Sequence, residues 1–482
     1  MSAAEVAKEK ARALQKIKVW LSPTDFDSET SEYRKHLNAH VRGTGQWIFA
    51  TEQYKRWDET DKIGDLWIRG IPGSGKSVVA ANLIKHLSRR DAPVLFFFFR
   101  NIILSNRSPK SLIRDFSFQL LDHSLELQSS LQLLMREHPN MGEVTFDEFW
   151  KCLSSAINGV NKAYCVVDAL DEMDSDEESF LPNLLDLGRR NPASIKIVLT
   201  SRQIARLEAH MKGSCLVDLR LDRKNVNQDI SIYITYSLEK YKANLNLNET
   251  RDIQEAICAR GDGLFLYARL MVTRFLQNPR DFMSNLATLP NGMGNMYNDL
   301  LREYAARSGT TQGFQKLVLA LVTHCARPLR LIELTAVIES MPDRGGLIDG
   351  QQTKSAVRTC CGPLLEICED EVVQIIHHSL TEFLLDPDIS HVQMETEIER
   401  FPVINSFEAH KTITSACLDY LTSGCYKDFG VRKGDKKGSF QLLTKTLSLN
   451  SPSCLMRLHF GQFTLLKIQG RSWEIFRNWI KF

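Results

Sequence analysis

One stretch in the first hundred residues restricts the fold of this chain more than any other. It has the spacing of a glycine, four further residues, a second glycine, a lysine and a serine. It reads Gly70-Ile71-Pro72-Gly73-Ser74-Gly75-Lys76-Ser77. A predicted strand over 66–69, with an apolar run at 66–68, precedes it and a helical pattern over 78–87 follows it. A strand, a glycine-rich turn and a helix in this order predict a phosphate-binding loop, or P-loop.

The chemistry of such a loop assigns roles to its residues. The glycines allow successive backbone N–H groups to turn inward, where they and the helix N-terminus bind phosphate oxygens. We therefore expect all eight residues and the following Val78 to contact a nucleotide. Lys76 is predicted to reach the β- and γ-phosphates, and the Ser77 hydroxyl to coordinate Mg²⁺. The alternative is a glycine-rich turn with a surface lysine, which the strand and helix around the loop disfavour.

A P-loop site needs a carboxylate for magnesium, and the sequence offers one about ninety residues later. The apolar run 164–167 ends in Asp168, which we expect on a strand neighbouring the P-loop strand, reaching the metal through water. Glu172 is the candidate base that orients the attacking water, and Asp171 would assist the metal or position Glu172. The acidic residues farther on are interpreted as a solvated loop; they are Asp174, Asp176, Glu177 and Glu178.

An arginine follows the next apolar run. Residues 195–199 are followed by Thr200-Ser201-Arg202. In open parallel sheets, ligands bind outside the carboxyl ends of the strands. Arg202 is therefore predicted to sense a γ-phosphate, with a surface arginine as the alternative.

The order of these patterns predicts an α/β fold. Apolar runs without polar alternation, separated by helical patterns, indicate a parallel sheet with helices on both faces. Strand signals fade after about residue 225, where helical patterns take over, and a strand-like run returns at 372–376 as in a winged helix. The predicted domains are a lead-in helix at 1–40, a P-loop core at 41–225, a helical lid at 226–310, a winged-helix-like domain at 311–390, and a helical segment with a basic, poorly defined tail at 391–482.

Composition excludes several classes of protein. Hydrophobic residues make up 43% and charged residues 24% of the 482 residues, which is typical of a folded globular chain. A net charge of +2 gives no field that favours nucleic acid, so we expect no nucleic-acid partner. The sequence lacks an apolar run long enough to span a membrane and a signal-peptide pattern, so we expect a cytoplasmic protein. Its eleven cysteines contain no Cys-x-x-Cys pair and indicate reduced thiols.

The P-loop, the segment Val166-Val167-Asp168-Ala169-Leu170-Asp171-Glu172 and the segment Leu199-Thr200-Ser201-Arg202 together resemble a NACHT domain of the STAND class of signal-transducing P-loop ATPases. Upstream, Arg42-Gly43-Thr44-Gly45-Gln46-Trp47-Ile48-Phe49 and Tyr54-Lys55-Arg56-Trp57 resemble the lead-in of the fungal members and the nephrocystin-like N-terminal domain. The similarity extends over about residues 18–425.

The resemblance implies further site residues. The family has a Gly-x-Pro element near the adenine, and Gly261-Asp262-Gly263-Leu264-Phe265-Leu266 takes that position without the proline. The family's winged helix has a histidine that contacts bound diphosphate. His377 matches it better than His378, although a structural His-His pair is the alternative. Ala169 stands where the family usually has glycine.

The resemblance also implies a function: a switch that binds ATP or ADP with Mg²⁺ and whose slow hydrolysis of ATP acts as a timer. Its triphosphate form is expected to self-associate as a homo-oligomer. A further, unidentified protein partner is also expected. The alternatives are a scaffold with a structural nucleotide and, more remotely, a P-loop kinase. Members of the class usually carry ankyrin or WD repeats and often an effector domain, and the sequence contains neither. The chain is therefore expected to be a regulatory fragment, a truncated gene product or a core that works with a separate partner.

Overall fold

The computed structural model describes residues 3–422 except 102, 175–176, 212–215, 242–244, 326, 340, 342–349, 369 and 386–399. The chain divides into two compact units, Met1–Met293 and Gly294–Phe482. The division falls within a helix that spans Gly292–Ser308. The basic tail predicted near the C-terminus lies outside the described residues.

The described part of the chain contains eight strands: β1 Asp65–Arg69, β2 Val94–Phe98, β3 Ala163–Asp168, β4 Ile195–Ser201, β5 Leu216–Arg220, β6 Leu329–Arg330, β7 Leu365–Ile367 and β8 Val372–Ile375. Its helices are α1 Ala3–Leu21, α2 Glu32–Ala39, α3 Trp47–Ala50, α4 Glu52–Glu59, α5 Lys76–Leu87, α6 Pro109–Leu120, α7 Leu125–Glu137, α8 Phe146–Asn158, α9 Phe180–Arg190, α10 Ala205–His210, α11 Arg223–Lys240, α12 Leu247–Gly261, α13 Phe265–Gln277, α14 Pro279–Ser284, α15 Gly292–Ser308, α16 Gln312–His324, α17 Leu331–Glu339, α18 Gly350–Cys360, α19 His378–Leu385 and α20 Ser406–Thr422.

The first unit is built on a five-stranded parallel sheet in the order β2-β3-β4-β1-β5. Side chains along a strand point alternately to its two faces. On one face Phe97, Val167 and Leu199 join an apolar cluster with residues of α6, α8 and α9. On the other face the Trp57 ring of α4 lies against Tyr164, with the ring centroids 6.2 Å apart. The prediction of a parallel sheet covered by helices on both faces is confirmed.

Local patterns located four of these strands but not the fifth. Strands β1, β3 and β4 are almost entirely buried and β2 is mostly buried, which explains their continuous apolar runs. Strand β5 lies at the sheet edge, where buried residues alternate with the exposed Asp218 and Arg220. One face of β5 is solvated, so its alternating polar residues hid it from a search for apolar runs, whereas β2 at the opposite edge of the sheet is a continuous apolar run.

The predicted order of the strands needs one correction. Asp168 was expected on a strand neighbouring the P-loop strand, but β4 lies between β1 and β3. The expectation was wrong because strand order depends on long-range pairing, which the local apolar runs do not encode. Arg202, in contrast, follows β4, which pairs directly with β1.

The second unit has the succession of elements of a winged helix. Helix α16 leads into β6, then α17 and α18, and then the hairpin of β7 and β8. The three strands are antiparallel in the order β6-β8-β7. The predicted helices at 314–324 and 331–339 correspond to α16 and α17.

Candidate functional site

The glycine-rich segment forms a tight loop between β1 and α5. Gly73 and Gly75 have φ values of 77° and 92°, in the left-handed region that favours glycine. Gly75 is also the N-cap of α5. The loop therefore brings the N-terminus of a twelve-residue helix to its centre, an arrangement that attracts an anion.

Lys76 is held inside this loop. Its ammonium donates to the carbonyl oxygens of Gly70 and Ile71, at 2.9 and 3.0 Å. Burial lowers its pKa, and the nearby carboxylates of Asp171 and Asp168 act in the opposite direction. Lys76 thus lies in the electrostatic field of the acidic residues that follow β3.

Asp168 ends β3 and is 1% exposed. Its Oδ1 accepts a hydrogen bond of 2.5 Å from the hydroxyl of Thr200, and its carboxylate is also hydrogen-bonded to Ser77. Burial raises its pKa, against the opposing effects of His36 and of these hydroxyls. A carboxylate in contact with a hydroxyl is a pair of hard oxygen donors, so Asp168 and Ser77 fit Mg²⁺.

The residue after Asp168 has an unusual backbone. Ala169 has a φ of 53°, and its N–H donates to the Thr200 hydroxyl at 3.1 Å. An L-residue other than glycine pays a steric cost in this left-handed conformation. The sequence indicated only a small substitution here, whereas the structure gives a physical reason for the usual glycine.

Asp171 and Glu172 occupy a 3₁₀ turn after β3, Leu170–Glu172. Asp171 accepts from the backbone N–H of Arg202 at 2.9 Å, and its other oxygen lies 2.8 Å from the Arg202 Nε. Glu172 accepts from the backbone N–H of Asn101, beyond the end of β2, at 3.1 Å. The described contacts thus join Asp171 to Arg202. From the sequence, Asp171 was instead expected to assist the metal or to position Glu172.

A buried charged cluster that the sequence did not suggest covers the same end of the sheet. Glu32 on α2 lies 3.0 Å from Arg100, which follows β2, and 3.3 Å from His36. Although burial opposes it, Arg100 and His36 hold the pKa of Glu32 well below its usual range. The His36 ring stacks on Phe98, whose register partner is Asp168. Only the arginine's place after an apolar run could have suggested this cluster.

The helical segment after the sheet touches the phosphate loop. The N–H of Leu266, in the first turn of α13, donates to the Gly73 carbonyl at 3.2 Å. A Cβ placed on Gly73 would lie 3.2 Å from the Leu266 Cβ, and one on Gly75 would lie 4.0 Å from the Phe265 ring. The segment Gly261 to Leu266, which takes the position of the family's Gly-x-Pro element without its proline, therefore lies against the phosphate loop.

His377 lies in the second unit, whereas the other predicted site residues lie in the first. Its Nδ1 accepts from the backbone N–H of Ser379 at 3.1 Å, so a neutral ring carries its proton on Nε2. The Ser379 hydroxyl lies 2.8 Å from the same nitrogen and 2.8 Å from the hydroxyl of Tyr297. These contacts fix the tautomer of His377.

Comparisons with known proteins agree with this description of the fold. Residues 43–202 match the family model of the nephrocystin 3 N-terminal region, and residues 304–395 match that of the winged helix domain of GPI inositol-deacylase. The vegetative incompatibility protein HET-E-1 of Podospora anserina is 25% identical over 379 residues, which cover 74% of this chain and 27% of that protein. This chain thus spans about a quarter of that relative's length.

Solved structures with some similarity include a Walker-type ATPase of Pyrococcus abyssi, at 12% identity and a TM-score of 0.35, covering 72% of this chain and 99% of that chain. Another is AMPPCP-bound DnaA from Aquifex aeolicus, at 12% identity and a TM-score of 0.31, covering 67% of this chain and 88% of that chain. At these scores the similarity adds nothing to the sheet order described above.

The parallel sheet, the glycine loop with Lys76 and the carboxylate that ends β3 define a nucleotide-binding P-loop NTPase. Within that class the chain is similar to the NACHT-type NTPases, through the nephrocystin 3-like region at residues 43–202 and the similarity to HET-E-1. In the described part of the chain, every helix is too short or too polar to cross a membrane.

Proposed function

We propose that the chain is a nucleotide-operated signalling switch: it binds ATP or ADP with Mg²⁺ and couples exchange and slow hydrolysis to conformational opening and self-association. The observation that carries this proposal is a shared contact surface. The loop that would hold the phosphates also accepts a hydrogen bond from Leu266 of α13, so a change in the loop reaches the helical segment directly. A ligand shifts such an equilibrium only by binding the two states differently.

The roles of the site residues follow from their contacts. Lys76 would exchange its two carbonyl partners for the β- and γ-phosphates. Ser77 and Asp168 would hold Mg²⁺, which neutralises charge on the phosphates when it is bound. The other P-loop residues and Val78 would surround the phosphates with backbone N–H groups. These roles are those expected from the sequence.

Slow hydrolysis is consistent with how the two candidate residues for the γ-phosphate are held. One oxygen of the Glu172 carboxylate, the proposed base, accepts from the Asn101 N–H, so turning the other oxygen towards a water strains this contact. Arg202 is paired with Asp171 and must give up part of that pairing to contact a γ-phosphate. Each rearrangement adds to the barrier of the chemical step.

The second unit supplies the proposed closed state. Since the His377 tautomer presents a protonated Nε2, we propose that this N–H donates to the β-phosphate of ADP and stabilises the closed, inactive form. We further propose the division of labour given by the sequence: core at 41–225, lid at 226–310 and winged-helix-like domain at 311–390. The switch would act in the cytoplasm, with homo-oligomerisation in the triphosphate state and an unidentified protein partner.

A second function is a scaffold whose nucleotide is bound once and never turned over. The observation that favours it is the same hydrogen bond from Asn101, because it ties one oxygen of Glu172 to the backbone and restricts the carboxylate that would have to orient a water. The two proposals differ in exchange and hydrolysis. Both require a bound nucleotide.

The experiment identifies the nucleotide that co-purifies with the protein, and then measures its exchange and the hydrolysis of added ATP. For a switch we expect that ADP co-purifies with the protein, that it exchanges with added nucleotide, and that added ATP is hydrolysed slowly. Glu172→Gln should keep ATP binding and slow hydrolysis, since the amide keeps the shape and loses the basicity. Glu178→Gln, in the acidic loop farther on, is the matched control. Equal turnover in Glu172→Gln and the parent would favour the scaffold.

A further inference from the structure

Thr200 is a fully buried residue of β4 whose hydroxyl joins two consecutive residues of another strand's end. Its Oγ1 donates to Asp168 Oδ1 at 2.5 Å and accepts from the Ala169 N–H at 3.1 Å. A backbone N–H can only donate and an ionised carboxylate can only accept. The hydroxyl proton therefore has one direction that satisfies both partners, and a side chain without a donor and an acceptor at this position cannot serve both.

The strand order explains why β4 provides this contact. Because β4 separates β1 from β3, the P-loop strand and the strand of Asp168 lie two spacings apart, about 10 Å. The Asp168 carboxylate must reach across the end of β4 to meet Ser77. The Thr200 side chain lies on that path, since it contacts Asp168 from the strand in between.

We propose that Thr200 is a positioning residue for the magnesium site: its hydroxyl fixes the Asp168 carboxylate so that this group faces Ser77 and can hold the metal. The inference rests on the proposed function, in which Asp168 and Ser77 hold Mg²⁺. With Thr200 on one side and Ser77 on the other, the carboxylate is held between two hydroxyls and its rotation is restricted. Removing the first hydroxyl leaves Asp168 able to turn away from Ser77.

The test separates this role from a merely structural one by measuring two affinities for a non-hydrolysable ATP analogue, with Mg²⁺ and with EDTA. Their ratio is the magnesium increment. Thr200→Val keeps the shape of the side chain and removes the hydroxyl, whereas Thr200→Ser keeps the hydroxyl. We expect Thr200→Val to bind as the parent does in EDTA and to lose about ten- to a hundredfold of the increment, as for other residues that orient a metal ligand. Thr200→Ser should keep most of it.

Ser201→Ala is the matched control on the same strand. Its buried hydroxyl accepts from Trp67 Nε1 and donates to the Arg202 carbonyl, both at 2.8 Å, and so bonds to groups other than Asp168. It should lower stability without changing the increment. If Thr200→Val does not fold, Thr200→Ala takes its place, because a water can then reach the Ala169 N–H.

The outcomes distinguish the inference from the function on which it rests. A parent protein that binds the analogue equally with Mg²⁺ and with EDTA refutes the proposed metal site itself. A parent with a clear increment that Thr200→Val or Thr200→Ala retains refutes only the positioning role. In an Asp168→Asn background, adding Thr200→Val should change the increment no further, because Thr200 acts through the carboxylate. A further loss there would also overturn the inference.

Discussion

The carboxyl and amino ends of the parallel strands, called here the carboxyl edge and the amino edge of the sheet, each hold a lysine against backbone carbonyl oxygens. The electrostatic surroundings of the two lysines differ. At the carboxyl edge, Lys76 is bonded to two carbonyls and lies in the field of Asp171, Asp168 and Glu172. At the amino edge, Lys196 donates to the carbonyls of Trp57, Thr60 and Ile63 at 2.6 to 2.8 Å. Burial and the neighbouring Lys162 lower the pKa of Lys196 to about 8.

The buried carboxylates at the two edges also differ in their hydrogen-bond partners. Asp168 at the carboxyl edge has two hydroxyl donors. Asp65 begins β1 at the amino edge and is fully buried, and within the described part of the chain neither of its oxygens has a hydrogen-bond partner. Burial raises the pKa of Asp65 to about 7, with only a partial offset from Arg189.

This contrast indicates at which edge a bound ligand can replace the present hydrogen-bond partners. A phosphate can replace the carbonyl partners of Lys76, and a metal ion can bind between Asp168 and Ser77. Lys196 is enclosed by three carbonyls that tie the end of α4 to the sheet, and Asp65 packs on the backbone of Gly188. We therefore expect substitutions at the amino edge to change the stability of the fold, and substitutions at the carboxyl edge to change nucleotide and metal binding.

The largest expected effect is at the carboxyl edge. Lys76→Ala should abolish nucleotide binding, because the β- and γ-phosphates lose the cation that contacts both of them. Binding of a labelled ATP analogue checks this, with the melting temperature as a control for folding. Lys85→Ala, near the end of the same helix, should leave binding intact. Parental affinity in Lys76→Ala would refute the P-loop assignment.

The next effect concerns the amino edge and depends on pH. The folded protein keeps the Asp65 proton up to a pH of about 7, whereas the unfolded chain releases it near the usual aspartate pKa of 3.8. Stability should therefore fall as pH rises between these values, by on the order of 4 kcal/mol in total, and then level off. Asp65→Asn has no proton to release, so its stability should not fall in this window. The difference in unfolding free energy between Asp65→Asn and the parent should therefore grow as pH rises and persist at pH 8.

Urea midpoints followed by tryptophan fluorescence at pH 5 and pH 8 measure this difference. The other groups that interact with Asp65 are Arg189 and Cys165, and the pKa of this thiol lies too high for it to titrate in the window. Asp218→Asn removes a half-exposed carboxylate from β5 and serves as the control. Equal gains at both pH values would mean that Asp65 is not held neutral in the folded state.

The same comparison shows how far the sequence could be read. The P-loop, Asp168 and Arg202 were predictable because each follows a continuous apolar run at the carboxyl end of a buried strand. The contact between Thr200 and Asp168 joins residues 32 positions apart and depends on which strands are neighbours, which no local pattern encodes. The environment of Asp65 was equally hidden, since a single carboxylate before an apolar run reads as a solvated strand end.

A smaller effect is expected for Arg202→Ala. The side chain is paired with Asp171 in the structure, and a γ-phosphate would compete for it. A hydrogen bond to a charged group contributes about 1.5–3 kcal/mol, so the preference for triphosphate over diphosphate should fall by roughly ten- to a hundredfold. Affinities for ADP and for an ATP analogue, measured on the same preparation, give this ratio. Arg206→Ala, on α10, is the control, and an unchanged ratio in Arg202→Ala would exclude a γ-phosphate sensor.

The smallest effect tests whether the carboxyl edge also stores backbone strain. Ala169 has a φ of 53°, where alanine costs about 1–2 kcal/mol more than glycine. Glycine also gives the unfolded chain more freedom, which offsets about 0.4–1 kcal/mol of that gain. Ala169→Gly should therefore stabilise the nucleotide-free protein by roughly 0.5–1 kcal/mol, seen as a higher urea midpoint.

The control for this change is Ala209→Gly on α10, an exposed position where the helical backbone favours alanine, and it should destabilise. Because the Ala169 N–H still donates to Thr200 in the glycine variant, the magnesium increment should stay at the parental value. If Ala169→Gly destabilises as Ala209→Gly does, the left-handed backbone carries no strain. If it stabilises but also reduces the increment, the stiffness of alanine at this position helps to hold Asp168 in place.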